Sequence, residues 1–152
     1  MSEIVVSRII ETTPERVWEV LTDLDRAPET LTGVTDVQRL TDGPYAVGTR
    51  WRETRTMFGK KSTEEMWVTA SDPWRRSEIH AESSGAHYVT EFLLAPLDDG
   101  ARTELTVRFA AEPVGPSAVQ KALMAVLGGV ATRATRKALE QDLADIAAAA
   151  EA

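Results

Sequence analysis

The sequence predicts an α+β fold in which a curved antiparallel sheet of seven short strands surrounds one long C-terminal helix. Residues from about 117 to 149 carry apolar side chains at helical spacing, and the segments before them show the alternation and turn residues of short strands. A helix with a single apolar side needs a concave surface to lie in. Because such a sheet usually leaves a cavity beside the helix, the pattern indicates a protein that encloses a small molecule.

Length and composition indicate a single domain over residues 1–152. The net charge of −7 and the pI near 4.9 argue against binding to nucleic acid and against stable association with an anionic membrane. The absence of cysteine excludes disulfides, thiolate catalysis and cysteine-ligated metals. No signal-peptide pattern opens the chain, and no run approaches the roughly 20 apolar residues of a membrane span. We therefore expect a cytoplasmic protein, either a monomer or a homodimer.

The N-terminal quarter predicts one strand and one or two short helices. Residues 4–11 are rich in β-branched side chains and predict a strand. Thr13 is suited to cap a helix that has Pro14 at its first position. This helix would bury the residues that recur at helical spacing, namely Val17, Val20, Leu21 and Leu24. Residues 25–33 predict a second short helix or a loop, and residues 34–40 a strand.

Turn residues predict three hairpins, at Gly59-Lys60, Ser84-Gly85 and Asp99-Gly100. With Gly59 as the first turn residue, Arg55 lies directly opposite Glu64. The second and third turns pair position 81 with 88 and position 94 with 105. The link at residues 72–74 places position 68 beside 79, so the three registers agree with one another.

These registers divide the side chains between two faces, because alternate residues of a strand share a face. The expected concave face is apolar and collects Trp51, Met66, Val68, Ile79, Phe92, Leu94, Leu105, Val107 and Phe109. The expected outer face is polar and collects Arg52, Thr54, Glu65, Glu78, His80, Glu82, His87, Glu91, Thr106 and Arg108. Arg52 would lie across from Trp67, and Glu91 across from Arg108.

Polar side chains are also expected on the concave face. They are Glu53, Arg55, Glu64, Ser77, Tyr88 and Thr90. Arg55 and its carboxylates have three interpretations: a solvated ion pair at the open end of the sheet, an anchor for the polar end of an apolar ligand, or acid–base catalysis by Glu53 or Glu64. Tyr88 is suited to donate a hydrogen bond to a ligand carbonyl, or it simply packs.

Two histidines and two glutamates form the only pattern with metal-ligand spacing. Glu78, His80 and Glu82 alternate along one strand face, and His87 would lie opposite Glu82. Because the register puts all four on the outer face, we expect a solvated surface cluster and no metal. The sequence has no nucleophile motif, no glycine-rich phosphate loop and no dinucleotide-binding pattern, so we expect no cofactor.

The final helix would face the sheet with a long apolar stripe. The stripe comprises Val119, Leu123, Val126, Leu127, Val130, Ala134, Ala138, Leu139, Leu143 and Ile146. Gly128-Gly129 interrupts it at a cost of about 2 kcal/mol in helix propensity. This pair indicates either close packing or a mild kink, or else clearance for a ligand or a hinge at the mouth of the cavity.

The chain resembles the START-like (SRPBCC) superfamily, and most closely its bacterial polyketide cyclase/dehydrase-like group. Residues 13–23 (TPERVWEVLTD) match the opening pattern A/S-P-x-x-V-W-x-x-L-x-D of this superfamily, with threonine at the first position. Residues 47–51 match its x-G-x-x-[FW] strand entry, residues 68–73 its V-x-x-x-x-P pattern, and residues 100–105 its G-x-x-[TV] region. The resemblance spans nearly the whole chain, and the motifs that match are structural ones.

The resemblance implies a helix-grip fold with two small helices after the first strand, and members that bind lipids, polyketides and other apolar molecules. We expect a small apolar ligand between the sheet and the C-terminal helix. An apolar wall would come from Trp51, Met66, Ile79, Phe92, Phe109, Leu123 and Leu127. Arg55, Glu64 and Tyr88 would hold the polar end of the ligand, beside Glu53 and Thr90. There are two alternatives. One is a polyketide cyclase, aromatase or dehydratase in the same cavity, in which Tyr88 or a carboxylate transfers a proton and Arg55 stabilises the enolate. The other is a protein-interaction module without a ligand.

Overall fold

The computed structural model describes residues 2–57, 59–83, 86–113 and 118–152, and the side chains of residues 3–56, 59–82, 86–112 and 132–152. Ten main elements follow in the order β1 Ser2–Ile10, α1 Pro14–Thr22, α2 Ala27–Thr30, β2 Val34–Arg39, β3 Arg50–Met57, β4 Lys60–Asp72, β5 Arg76–Ser83, β6 Ala86–Leu97, β7 Arg102–Pro113 and α3 Ala118–Glu151. Short 3-10 turns occupy Leu24–Arg26 and Asp98–Gly100. The predicted α+β helix-grip fold is confirmed.

The seven strands form one antiparallel sheet in the order β1-β7-β6-β5-β4-β3-β2. Consecutive strands are neighbours from β2 to β7. The first strand, β1, pairs with β7, so that β1 and β2 form the two edges of the sheet. Register shifts interrupt β2 between Val34 and Asp36, and β4 between Val68 and Ala70. Such bulges increase local bend and twist, which helps the sheet to curve around a helix.

Two of the three predicted hairpin registers are confirmed, and so is the pairing across the link from the first hairpin to the second. Ala81 pairs with Tyr88, and Leu94 pairs with Leu105, as the turn residues predicted. Val68 lies beside Ile79 across the link. The second predicted turn, Ser84-Gly85, lies outside the described residues.

The register of the first hairpin was predicted wrongly by two residues. Arg55 pairs with Ser62, and Glu64 instead lies opposite Glu53. Because Met57 pairs with Lys60, Gly59 is the second residue of the turn, where its φ of 72° suits a glycine. A shift of two residues preserves the face of every side chain, so the division into concave and outer faces remains correct.

On the outer face, the shift changes which arginine meets the indole of Trp67. Arg52 lies opposite Glu65, whereas Arg50 lies opposite Trp67. The guanidinium carbon of Arg50 is 5.0 Å from the centre of the Trp67 ring. The predicted pairing of Glu91 with Arg108 is confirmed.

The first helix begins as the sequence predicted. The Thr13 hydroxyl accepts a hydrogen bond from the Arg16 amide at 3.2 Å, and Pro14 occupies the first turn. Val17 is fully buried beneath this helix. The segment expected to be a second helix or a loop contains the 3-10 turn and α2.

The buried apolar residues of the described chain form two clusters. The larger lies under the C-terminal half of α3 and comprises Ile10, Val17, Leu94, Leu105, Val107, Leu143, Ile146, Ala147 and Ala150. The smaller comprises Leu24, Trp51 and Val68, with Val37, Tyr45, Met66 and Ile79 packed against it. The concave face is thus closed off by the helix at one end and by loop residues at the other.

Polar contacts from both halves of the sheet hold α3. The Arg136 guanidinium donates to the carbonyl of Val5 in β1 at 3.2 Å. On the opposite side, Asp142 accepts two hydrogen bonds from Arg55 in β3, and Asp145 accepts one from the Thr32 amide at 2.8 Å. None of the helices in the described part of the chain is long and apolar enough to cross a membrane.

Candidate functional site

The concave face carries a band of half-buried side chains across its middle strands. Thr90 of β6 lies between Phe109 of β7 and Ile79 of β5, and Ile79 in turn lies beside Val68. Val68 is fully buried, but the other three keep part of their surface accessible. The Tyr88 ring stacks on Phe109 with centroids 5.6 Å apart and planes 23° apart. Met66 and Phe92 are half-buried on the same face.

Trp51 borders this band and is almost completely buried, with 2% of its surface exposed. It contacts Tyr45, whose ring centre is 6.4 Å away, and Tyr45 also packs edge-on against Trp18. Within the described residues, the indole nitrogen of Trp51 is buried without a hydrogen-bond partner. Burial of an unpaired N–H is costly, so this donor is available to an acceptor that reaches it.

Arg55 lies at the centre of the polar side of the concave face. Its Nε donates to Glu53 at 3.0 Å, and its two terminal nitrogens donate to the two oxygens of Asp142 at 3.1 and 2.8 Å. Gly33 leaves room for the guanidinium, since a Cβ atom there would lie 3.3 Å from Nη1. These three hydrogen bonds use three of the five N–H groups of an arginine.

The carboxylates around Arg55 are shielded from solvent. The side chains of Glu53 and Asp142 are 8% and 13% exposed, and that of Arg55 is 23% exposed. The interpretation as a solvated ion pair is therefore wrong, because the pair lies between β3 and α3 and not at an open rim. Arg55 also does not pair with Glu64, contrary to the predicted register.

Asp142 is the one member of this group that sequence reasoning did not identify. It lies 87 residues after Arg55 in the chain, between Leu139 and Leu143 of the apolar stripe of α3. The sequence did contain a signal, because a buried arginine needs carboxylates to pair with. Acidic residues beside Leu139 and Leu143, which are on the side of α3 predicted to face the sheet, are the candidates for this pairing. Both Asp142 and Asp145 lie in that turn, and both bind residues outside the helix.

Burial and charge set the protonation of this group. Burial by itself would lower the pKa of Arg55, but the charges of Asp142 and Glu53 outweigh it and raise the pKa, so that the guanidinium stays charged. Burial raises the pKa of Asp142, and the charge of Arg55 acts against that increase. Burial followed by the charge of Glu53 raises the pKa of Glu64, which lacks such a direct hydrogen bond. Glu53 and Asp142 thus bind the guanidinium, whereas Glu64 lies opposite Glu53 in the sheet.

The charge of Glu64 also acts on Tyr88. Burial, and then the charge of Glu64, raise the pKa of the Tyr88 phenol, which therefore stays protonated. A neutral phenol donates one hydrogen bond, and the raised pKa of Glu64 favours the protonated form of its carboxyl group. The polar side of the concave face therefore offers hydrogen-bond donors and acceptors, with an excess of acidic groups.

Ser77 and Tyr45 form a second polar contact inside the protein. Ser77 is fully buried, and its hydroxyl lies 2.5 Å from the Tyr45 hydroxyl. Burial raises the pKa of Tyr45 to about 12, although the hydrogen bond with Ser77 acts in the other direction. Ser77 was expected on the concave face, whereas Tyr45 belongs to the loop between β2 and β3 and was not identified from the sequence.

The structure groups most of the site residues that the sequence predicted. Those on the concave side are Trp51, Glu53, Arg55, Glu64, Met66, Ile79, Tyr88, Thr90, Phe92 and Phe109. Phe92 packs against the larger apolar cluster, whereas Met66 and Ile79 pack against the smaller one. The side chains of Leu123 and Leu127 lie outside the described residues, as does the stripe from Val119 to Val130. The backbone is helical through Gly128-Gly129.

Comparison with known proteins relates this chain to a family and to several solved structures. A family model described as "Polyketide cyclase / dehydrase and lipid transport" matches residues 1–151. The structure of TTHA0849 from Thermus thermophilus is 18% identical, with a TM-score of 0.80 over 98% of this chain and 97% of that one. No curated protein matches the sequence.

Two similar structures carry names that describe an activity. The Zhui aromatase/cyclase from Streptomyces sp. R1128 is 19% identical, with a TM-score of 0.74 over 99% of this chain and 93% of that one. The di-domain ARO/CYC StfQ from the steffimycin biosynthetic pathway is 14% identical, with a TM-score of 0.67 over 97% of this chain and 44% of that one. At these identities the likeness is one of fold. Through its family match, the chain belongs to the polyketide cyclase/dehydrase and lipid transport family.

Proposed function

We propose that the protein binds a small apolar molecule with one polar end, between the concave face of the sheet and α3. The observation that carries this proposal is the half-buried band of Ile79, Phe109 and their neighbours. These large apolar side chains lie on the inner face yet keep accessible surface, while Val68 beside them is fully buried. Covering apolar surface contributes about 25 cal/mol per Å². A ligand that covers this band would therefore bind with a substantial hydrophobic contribution.

The remaining contacts follow from position in the sheet. The apolar wall would consist of Trp51, Met66, Ile79, Phe92 and Phe109, with Thr90 between Ile79 and Phe109. The buried indole N–H of Trp51 would donate to an acceptor on the ligand. The polar end would lie against Arg55, Glu64 and Tyr88, beside Glu53.

The charge of this polar end favours one class of ligand. Arg55 already binds Glu53 and Asp142, so its positive charge is compensated before a ligand arrives. A ligand carboxylate would add a further negative charge beside Glu64. A hydroxyl group, in contrast, donates to a carboxylate and accepts from a phenol or a guanidinium. We therefore expect neutral hydroxylated aromatic or lipid-like molecules to bind better than their carboxylate analogues.

The binding proposal is tested with N-phenyl-1-naphthylamine, an uncharged fluorophore that brightens when it leaves water. The wild-type protein should give a saturable increase in emission. Thr90→Phe should weaken binding roughly tenfold or more, a change of about 1.4 kcal/mol, because it fills the band between Ile79 and Phe109. Thr63→Phe is the matched control, since Thr63 is exposed on the outer face, and it should leave binding unchanged.

Two results of this titration would contradict the proposal. One is the absence of saturable emission, which would favour a protein-interaction module without a ligand. The other is an equal loss of binding in both variants, which would separate binding from the concave face. Competition by 1-naphthol and by 1-naphthoate then tests the polar end, where the hydroxyl compound should displace the probe at the lower concentration.

A second candidate is an enzyme that cyclises or dehydrates a bound polyketide-like chain. The raised pKa of Glu64 favours it, because burial and the charge of Glu53 favour the protonated carboxyl group, which is the form that acts as a general acid. Under this hypothesis Glu64→Gln should retain probe binding while abolishing the conversion of a bound β-hydroxyketone, followed by the absorbance of the enone product. If Glu64→Gln and the wild-type protein convert it equally, Glu64 has no catalytic role.

A further inference from the structure

The polar side of the concave face carries more carboxyl groups than cations. Glu53 and Glu64 lie directly opposite each other on β3 and β4, and Asp142 of α3 binds the same guanidinium as Glu53 does. That guanidinium, of Arg55, is the positive charge that acts on all three carboxyl groups. When the four groups are ionised, three negative charges therefore face one positive charge.

The hydrogen bonds of Arg55 are directed away from Glu64. Both terminal nitrogens donate to Asp142, at 3.1 and 2.8 Å, and Nε donates to Glu53 at 3.0 Å. Among the described side chains, no ion pair joins Glu64 to a lysine, an arginine or a histidine. Glu64 is half-buried, so its ionised form is costly unless a cation comes into contact with it.

Aromatic rings lie on the same face, close enough to Glu64 to be affected by its charge. The Tyr88 phenol responds to the charge of Glu64, and its ring stacks on Phe109 with centroids 5.6 Å apart. Both rings are half-buried and keep accessible surface. Since a cation is attracted to the face of an aromatic ring as well as to a carboxylate, the two features together are complementary to an ammonium group on an apolar body.

Trp51 supplies a second, independent indication of a ligand beside these carboxyl groups. It precedes Glu53 by two residues on β3, so the two share the concave face, and its cross-strand partner Met66 follows Glu64 in the same way on β4. Its side chain is 2% exposed, and the indole N–H has no hydrogen-bond partner among the described residues. A buried unpaired donor favours a ligand that brings an acceptor oxygen as well as the ammonium.

We propose, on the basis of the function proposed above, that the bound molecule carries a protonated amine, which contacts Glu64 beside the rings of Tyr88 and Phe109. An ammonium group donates a charge-assisted hydrogen bond to the carboxylate and reduces the excess of negative charge next to Glu53. A hydroxyl group forms a neutral hydrogen bond, and a carboxylate increases the excess. Among ligands with the same apolar body, amines should therefore bind best, alcohols less well and carboxylates worst.

The test compares 1-naphthalenemethylamine with 1-naphthalenemethanol, which share an aromatic skeleton and differ in the polar group. Each compound competes with N-phenyl-1-naphthylamine for the wild-type protein. The amine, which is protonated at neutral pH, should displace the probe at a roughly tenfold lower concentration than the alcohol, as expected for a charge-assisted hydrogen bond. In Glu64→Gln the two competitors should act at concentrations within about twofold of each other, because the hydrogen bond is then no longer charge-assisted at the acceptor.

Glu65→Gln is the matched control variant. It removes the same charge from a chain whose net charge is −7, but Glu65 is 47% exposed and lies on the outer face, opposite Arg52. It should keep the roughly tenfold advantage of the amine, which separates contact with Glu64 from a general attraction of amines to an acidic protein. Thermal unfolding of both variants shows whether the fold is intact.

A second measurement uses the wild-type protein alone. The titratable and charged groups that act on Glu64 are Glu53 and Arg55 of β3, with Tyr88 of β6 beside it. Burial and the charge of Glu53 raise the pKa of Glu64, and the carboxyl group ionises as pH rises through that pKa. Because the ammonium binds the ionised form, the advantage of the amine over the alcohol should be larger above this pKa than below it.

The possible failures of this proposal differ from those of the binding proposal. Saturable emission from the probe, with equal competition by the amine and the alcohol, would overturn the amine proposal alone. So would an amine advantage that is the same in Glu64→Gln as in the wild type, an equal loss in Glu65→Gln, or an advantage that shrinks as pH rises through the pKa of Glu64. Absence of saturable emission would overturn the binding proposal and the amine proposal together.

Discussion

Replacing Arg55 by leucine should cost the fold much of its stability, because Arg55 joins β3 to α3. The change removes three hydrogen bonds to carboxylates and leaves Glu53 and Asp142 buried without a cation. Removing one partner of a buried ion pair costs about 3–5 kcal/mol. Since 23% of the Arg55 side chain is exposed, water partly replaces the lost partner, and we expect the lower end, about 3 kcal/mol.

Chemical denaturation at neutral pH measures this loss as a decrease in the free energy of unfolding. Arg26→Leu is the matched control, because Arg26 is 74% exposed and lies 3.8 Å from Asp23, so its removal should cost less than about 1 kcal/mol. Arg55→Lys should fall between the two, since lysine keeps the charge but not the planar fork that binds both oxygens of Asp142.

A double-mutant cycle separates the ion pair from other effects of the substitution. Arg55→Leu and Asp142→Asn, measured singly and together, should show a coupling free energy of about 2–3 kcal/mol. A coupling free energy below about 0.5 kcal/mol would refute the reasoning, because the two side chains would then contribute independently.

Three further results follow from the polar groups of the interior. The raised pKa of Glu64 means that its contribution to the free energy of unfolding is present below the unfolded pKa and is lost as pH rises through the folded pKa. Denaturation at each pH should therefore show Glu64→Gln as more stable than the wild type above the folded pKa and not below the unfolded one. Glu65→Gln, at an exposed position on the outer face, is the matched control variant. Tyr45→Phe should cost about 1–3 kcal/mol by leaving the buried Ser77 hydroxyl unpaired, and most of this should disappear in the Ser77→Ala background. The Tyr88→Phe variant leaves Tyr45 as the remaining tyrosine, and the absorbance of its phenolate should show a pKa of about 12. The protein should lose stability as pH rises towards that value. Ionisation of Tyr45 near its ordinary pKa of about 10 would contradict its buried position.

The fold could be predicted because strand alternation and turn dipeptides carry most of the information about an antiparallel sheet. Ser84-Gly85 and Asp99-Gly100 gave the correct registers, and the sorting of residues to two faces survived the error at Gly59. A two-residue shift changes cross-strand partners but not faces, since side chains alternate with period two. This is why Glu64 was placed on the correct face with the wrong partner.

The partners within the site could not be predicted from the same signals. The apolar stripe of α3 indicates which side of the helix is buried, but not which turn lies over which strand. The contact between Arg55 and Asp142 depends on that offset, which packing of the whole domain decides. Tyr45 lies in a loop, where no periodicity indicates whether a side chain turns inward, and only its contacts with Trp51 and Ser77 reveal its position.

His80 and His87 show a different limit of prediction from sequence, since their ring nitrogens lie 2.8 Å apart and their side chains are only 21% and 23% exposed. The sequence correctly placed His80 and His87 on the outer face, and from this the surface interpretation followed. Position on a face, however, does not determine burial, and the neighbouring Trp67 and Glu78 shield both rings. Side-chain packing on the outer face of a sheet depends on rotamers, which sequence spacing does not specify.

The central claim is that a ligand occupies the concave face, and intermolecular NOEs test it most directly. Protein with ¹³C-labelled methionine and isoleucine methyl groups would be saturated with N-phenyl-1-naphthylamine. We predict NOEs from the aromatic protons of the probe to the methyl groups of Met66 and Ile79, which lie on the concave face. NOEs confined to Ile9, which is 46% exposed on the outer side of β1, would contradict the claim.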